Sequence, residues 1–290
     1  MDIFLEQVEG KELGRIIYDA DLSKYTTYKV GGKARAIIYP KDRRCLVELC
    51  KLIKTYHIKY KILGNGSNLL FSDDLYDGVL IKLDEFDKIE FVRNKVICGA
   101  GASLMKVARE AMKRSLAGVE FASGIPGTIG GAIYMNAGAY KSDMGYITTN
   151  VTVLTDDLKI ITLTNAEMDF HYRSSYLQKH KDYICLEAVL KLTKGDRKEI
   201  EEITKERRER RMESQPLEYP SAGSVFRNPE GMYAGKLIED LGLKGLTKGG
   251  AEVSLKHANF VINKDGATAK DIHDLIVFVH DAVLDRYGVD

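Results

Sequence analysis

Several strong signals are missing from this sequence. It carries almost no net charge, since 43 Lys and Arg stand against 42 Asp and Glu to leave +1. No field of one sign is left to draw in nucleic acid or an anionic membrane surface, so neither is an expected partner. No apolar run approaches the ~20 residues of a membrane span. The opening residues, MDIFLEQVEGKELGR, lack the charged-then-apolar order of a secretory leader, so a cytoplasmic location is expected. The four cysteines (Cys45, Cys50, Cys98, Cys185) form no C-x-x-C pair and have no histidine cluster beside them. They read as reduced core thiols, and no metal is expected. There is no internal repeat and no low-complexity tract. Common fingerprints are absent too: no G-x-G-x-x-G after a first strand, no G-x-x-x-x-G-K-[ST] and no G-x-S-x-G. A standard dinucleotide fold, a P-loop and a nucleophile-elbow hydrolase are therefore disfavoured.

What is present is a globular pattern. A chain of 290 residues, 44% hydrophobic and 29% charged, can form two or three domains with a sizeable core. In KDRRCLVELCKLIKTYHI (41–58), Leu46, Leu49, Cys50 and Ile53 share one helical face. YKIL (60–63), VLIKL (79–83), KIEFV (88–92) and KVICGAG (95–101) read as strands. SLMKVAREAMKRS (103–115) reads as a helix capped by Ser103. Strands follow at 150–155, 159–164 and 183–193, and Thr164 with Glu167 has capping-box spacing over 164–170. Near 195 the composition shifts to a helix of mixed charge, GDRKEIEEITKERRERRMES. A helix over MYAGKLIEDLG, a strand at 259–263 and a terminal helix opened by Thr268 and Asp271 complete an α+β pattern. Boundaries are expected near 90 and 195, giving domains 1–90, 91–195 and 196–290.

Four stretches could carry chemistry. In LGNGSNLL, residues Gly64, Asn65, Gly66, Ser67 and Asn68 turn the chain after a strand. Successive N–H groups in such a turn can form a nest for phosphate oxygens, or the turn is only a tight one. Residues 122–140, ASGIPGTIGGAIYMNAGAY, contain five glycines, four alanines and a proline. So bare a backbone costs entropy and needs a reason. Ser123, Gly124, Ile125, Pro126, Gly127 and Thr128 put small residues and donors beside a helix start at TIGGA, a natural anion site. Gly130 and Gly131 allow either a flat ring or a packed backbone to come close. SAGSVFRNP places Ser224 in a small-residue turn with Arg227 and Asn228 behind it. That hydroxyl could be a cap, a donor or a proton source. HYRSSY offers Arg173, whose planar fork suits a carboxylate or phosphate, although many such arginines are merely solvated. The basic run KERRERR (205–211) is open to two readings, an electropositive approach or a solvated helix face.

Taken together and in order, TTYKVGGKA (26–34), LGNGSNLL, ASGIPGTIGGAIYMNAGAY, YRSSY, QPLEYPSAGSVFRNP and HANFVIN resemble the UDP-N-acetylenolpyruvoylglucosamine reductase family, in its shorter subtype. The resemblance covers nearly the whole chain. It implies a two-lobed FAD-binding fold of the flavin oxidase (PCMH-type) group, followed by an α+β substrate domain. It implies bound FAD, NADPH as reductant, a UDP-sugar substrate and a monomer active in peptidoglycan precursor synthesis. Gly64 to Asn68 and Ser123 to Gly127 would line the FAD diphosphate, with Gly130 and Gly131 permitting close approach. Arg173 matches the family's carboxylate-holding arginine and Ser224 its proton donor. Tyr172, Arg227, Asn228 and His257 fall at substrate-binding positions, although His257 also reads as a surface histidine at a strand start. The family's further catalytic glutamate lies in an L-E-P-E-V-R-like segment that would follow DRYGVD, where Asp285 and Asp290 are the nearest carboxylates. Two alternatives follow: a flavin-binding relative with impaired catalysis, or a flavin oxidase on the same fold.

Overall fold

Apolar spacing and caps decide the helices of the N-terminal half. In the computed structural model, which describes residues 1–290, the helix Arg43–Thr55 buries Leu46, Leu49, Cys50, Leu52 and Ile53. Asp42 caps it, accepting from the Cys45 N–H at 2.8 Å. Leu104–Lys113 buries Leu104, Val107, Ala108 and Ala111. The Ser103 hydroxyl caps that helix by accepting from the Lys106 N–H at 3.3 Å.

The chain divides into two compact units. The first comprises Met1–Tyr18, Arg35–Asn65 and Asp77–Arg208; the second comprises Asp19–Ala34, Gly66–Tyr76 and Glu209–Asp290. Most residues of a four-stranded sheet lie in the first; the sheet's order is Gly14–Asp21, Lys33–Pro40, Tyr76–Ile81, Tyr60–Ile62. Its last two strands are parallel. A five-stranded antiparallel sheet follows in the order Ile160–Thr164, Thr148–Leu154, Ile184–Lys191, Lys95–Gly99, Ile89–Val92. Its central strand, Ile184–Lys191, is buried along most of its length. The short helix Ile129–Met135 packs on that strand, which seats the glycine-rich stretch on the core of the unit. Cys50, Cys98 and Cys185 lie in this core, and burial pushes each thiol up to about 12.

The second unit is smaller. A three-stranded antiparallel sheet, Thr247–Lys248, Ala251–Val253 and Val261–Asn263, is covered by the helix Ala269–Tyr287. Val253, Val261, Ile238, Ile272, Leu275 and Val279 form its core. The expected capping box is present, with Thr268 and Asp271 each accepting the other's backbone N–H.

One expectation needs correction. Thr164 and Glu167 do make the bonds of a capping box, the Thr164 N–H reaching Glu167 Oε2 at 2.7 Å. No helix grows from it, because the chain passes through a turn to Asp169 in the left-handed region at φ 46°. In the run 205–211 most side chains are exposed, as on a solvated helix face. Within the first unit, the Arg207 guanidinium lies 4.8 Å from the Tyr140 ring centroid, and the Tyr140 hydroxyl donates to the Arg207 carbonyl at 2.9 Å.

Candidate active site

The first glycine turn is built from close approaches. A Cβ on Gly64 would come within 2.8 Å of Thr128 Oγ1. Gly66 sits at φ 62°, and a side chain there would collide with the Tyr25 carbonyl. Beneath the turn, the ammonium of buried Lys82 donates to the Gly64 carbonyl at 2.7 Å and pairs with Asp84 at 3.2 Å. Asn65 Nδ2 donates to the Pro126 carbonyl at 3.1 Å, which ties this turn to the second bare stretch. The backbone N–H groups of Asn65, Gly66, Ser67 and Asn68 are donated to no protein carbonyl.

The second stretch enters through a short 3-10 turn, where the Ser123 hydroxyl donates to the Glu120 carbonyl at 2.9 Å. Ile125 packs against the core while Pro126 is exposed. Thr128 then caps the helix, accepting from the Gly131 N–H at 3.2 Å. Gly130 answers to packing: a Cβ there would press on Ala100 at 3.1 Å. Gly127 does not, since its Cβ would meet nothing nearer than Ile125 at 4.0 Å. The bareness of this stretch thus has two causes, packing at one glycine and open space at another.

Arg173 joins the far end of the same stretch. Its Nη2 donates to the Gly138 carbonyl at 2.7 Å, and its guanidinium lies 5.0 Å from the ring centroid of exposed Tyr172. Arg173 is in the left-handed region at φ 55°, unusual for an arginine. Its turn is fastened to the helix end. Ser175 Oγ and Gln178 Nε2 both donate to the Tyr134 carbonyl, and Gln178 also reaches the Arg173 carbonyl at 2.9 Å. Asn136, buried and itself left-handed, donates to the His171 carbonyl at 2.8 Å.

Ser224, Arg227, Asn228 and His257 belong to the second unit. Ser224, Arg227 and Asn228 are exposed. Asn228 Oδ1 accepts the Ala234 N–H at 3.1 Å at the start of the helix Ala234–Asp240. His257 is half-buried rather than a surface histidine. Its Nδ1 accepts the Asn259 N–H at 3.2 Å, and burial lowers its pKa. Its neutral form therefore carries the proton on Nε2.

Comparisons with known proteins cover the whole chain. Residues 215–290 match the family described as "UDP-N-acetylenolpyruvoylglucosamine reductase, C-terminal domain", and residues 34–164 match "FAD binding domain". A UDP-N-acetylenolpyruvoylglucosamine reductase from Bacillus subtilis is 41% identical, over 100% of this chain and 96% of the relative. One from Clostridium botulinum is 46% identical over 94% of this chain and 89% of its own length. The crystal structure of the Thermus caldophilus reductase superposes with a TM-score of 0.81 at 33% identity, over 96% of each chain. This chain belongs to the UDP-N-acetylenolpyruvoylglucosamine reductase family. A glucose dehydrogenase, Phl p 4.0202, shares the fold over 67% of this chain and 44% of its own, at 13% identity and a TM-score of 0.54. The expected PCMH-type FAD-binding fold with an α+β C-terminal domain is borne out.

Membership in the reductase family makes the chain a flavoprotein oxidoreductase, and its residues fit FAD. A diphosphate wants several N–H donors and no intervening side chains; the turn at 64–68 has such donors, and Gly127, in the first unit, leaves open space. Sequence reasoning missed Lys82, Asn136 and Asn259, all buried polar residues next to the expected ones. A lysine closing the apolar run VLIK was the one readable sign among them. No helix is long and apolar enough to cross a membrane.

Proposed function

We propose that the protein reduces the enolpyruvyl double bond of UDP-N-acetylglucosamine enolpyruvate to give UDP-N-acetylmuramate for peptidoglycan. Bound FAD supplies the hydride chemistry and NADPH is its reductant. The match to the family along the full chain carries this reading. Residues 64–68 and 123–127, with Gly130 and Gly131, receive the cofactor. Two cofactor subdomains, 1–90 and 91–195, and a substrate domain, 196–290, complete the arrangement in a cytoplasmic monomer.

The chain's own residues face one physical problem. Hydride addition at the β-carbon builds negative charge on the α-carbon and the carboxylate. Donors already aimed at such charge can lower the barrier by roughly 3–4 kcal/mol each. Arg173 suits the carboxylate, because a guanidinium fork meets two oxygens at once. The Gly138 carbonyl holds one of its nitrogens, which fixes the direction of the fork. Ser224 gives its hydroxyl proton to the α-carbon; an unperturbed serine is a weak acid, so the acceptor must be carbanion-like and water excluded. Tyr172, Arg227, Asn228 and the Nε2–H of His257 serve as substrate contacts.

An anaerobic absorbance titration tests the reading. NADPH should bleach the flavin band and the enolpyruvyl UDP-sugar should restore it. Bleaching without restoration by the sugar would remove this substrate, and oxygen consumption without the sugar in a separate aerobic assay would point to an oxidase.

A further inference from the structure

We propose that Asn259 is a positioning residue that aims Ser224, an inference that rests on the reading of Ser224 as the proton donor. Asn259 is 4% exposed and lies just before the strand Val261–Asn263. Its Oδ1 accepts the Phe226 N–H at 2.9 Å and its Nδ2 donates to the Phe226 carbonyl at 2.9 Å. Its own carbonyl accepts the Val225 N–H at 2.9 Å. One residue thereby binds both polar groups of Phe226 and the N–H of Val225, the two residues that follow Ser224. On the other side of Ser224, Gly223 stands at φ 81°, and a side chain there would meet nothing within 4 Å. Beyond it, the Asn263 N–H donates to the Pro220 carbonyl at 2.9 Å and the Ala222 backbone is bonded to the Tyr28 hydroxyl. Asn259 holds the serine's C-terminal side, through a buried amide.

The arrangement suits proton delivery. A donor that works only when its acceptor is close loses rate steeply with misplacement, on the order of a hundredfold for about 1 Å. The carboxamide replaces a piece of β-ladder for Phe226, pairing N–H and C=O together. Asn259 also donates its own N–H to His257 Nδ1, so the clamp and the histidine share one scaffold.

The test uses the whole chain with FAD, anaerobically, in Ser224→Ala, Asn259→Ala, Asn259→Asp and the double Ser224→Ala/Asn259→Ala variant. Asn259→Asp keeps the acceptor for the Phe226 N–H and the shape, and serves if the alanine variant does not fold. In the Asn259 variants, bleaching by NADPH should stay within about twofold of the parent, and the KM for the UDP-sugar within about threefold. Restoration of the flavin band by the sugar should slow about tenfold to a hundredfold. The double variant should be no slower than Ser224→Ala alone, because a residue acting through Ser224 has nothing left to aim. A slow Ser224→Ala beside normal restoration in the Asn259 variants would overturn the proposal, as would losses that multiply in the double variant. Normal restoration in Ser224→Ala would instead remove the proton-donor reading, and this inference with it.

Discussion

The turn that carries Arg173 and the turn that carries Ser224 are held in different ways. The first places a non-glycine residue in the left-handed region, a strain worth about 1–3 kcal/mol. Such strain persists only where several contacts fix it, and here they do. The His171–Ser174 bridge, Ser175, Gln178 and Asn136 all bind the turn or the helix end beside it. The second turn gives its left-handed position to Gly223, so no strain has to be held. Asn259 fastens the two residues that follow Ser224, and bonds at Pro220 and Ala222 hold the chain ahead of it. The charge anchor sits in a strained turn braced by several side chains, while the residues that follow the proposed proton donor are held by one buried amide.

The sharpest way to break this comparison is at the anchor itself. Arg173→Ala should lower kcat/KM by about 10² to 10³, the usual cost of removing one donor aimed at developing charge. Arg173→Lys should recover only part of it, since an ammonium lacks the fork. Parent-like steady-state rates in both variants would sink the carboxylate role. The next effect concerns the glycines. Gly66→Ala meets both a positive φ and the Tyr25 carbonyl, so it should cost at least about 1–2 kcal/mol. In a chain of this size that lowers Tm by roughly 2–4 °C per kcal/mol in a thermal melt. Gly127→Ala should leave Tm unchanged, yet weaken FAD binding about tenfold in a flavin-fluorescence titration if its space admits the cofactor. Equal melting losses in the two variants would mean that both glycines serve packing alone.

How much of this was legible in the sequence follows from distance along the chain. The Ser103 and Thr268 caps were readable because cap and partner lie three residues apart. The apolar face of Arg43–Thr55 was readable for the same reason. Thr164 and Glu167 show where local reading ends. Their bonds form, but one capped turn costs more order than it gains unless the helix continues, and Asp169 turns the chain away. The bare loops were visible as composition, but packing and open space could not be separated glycine by glycine. The partners of Lys82, Asn136 and Asn259 lie 18, 35 and 33 residues away. Lys82 was legible only as a lysine closing an apolar run, and Asn136 and Asn259 were not legible at all. Nor do the residue types of HYRSSY announce a left-handed arginine.

Bracing by many contacts predicts tolerance. Gln178→Ala removes bonds to the Tyr134 and Arg173 carbonyls but leaves Ser175 Oγ on Tyr134 and Asn136 on His171. It should cost about 1 kcal/mol in denaturant unfolding and change kcat less than about threefold. A loss as deep as that of Asn259→Ala would erase the contrast between the turns.

The smallest effect is a pH dependence on the Ser224 side. Burial lowers the pKa of His257, with nearby Lys244 acting in the same direction and Glu239 opposing it. The folded chain then holds fewer protons at this site than the unfolded one, so stability rises with pH through the window between the two pKa values. That window opens just below about 6.5, the ordinary histidine value, and extends toward acid. Stability from this group is present above it and lost as pH falls through the folded value. The hydrogen bond works in the same direction as burial: protonating Nδ1 would set a proton against the Asn259 N–H that it now accepts. His257→Gln cannot titrate, so the drop in unfolding free energy between about pH 7.5 and about pH 5 should be smaller in the variant than in the parent. An equal drop would mean that the acid sensitivity arises elsewhere, and that the Ser224 scaffold does not depend on a neutral His257.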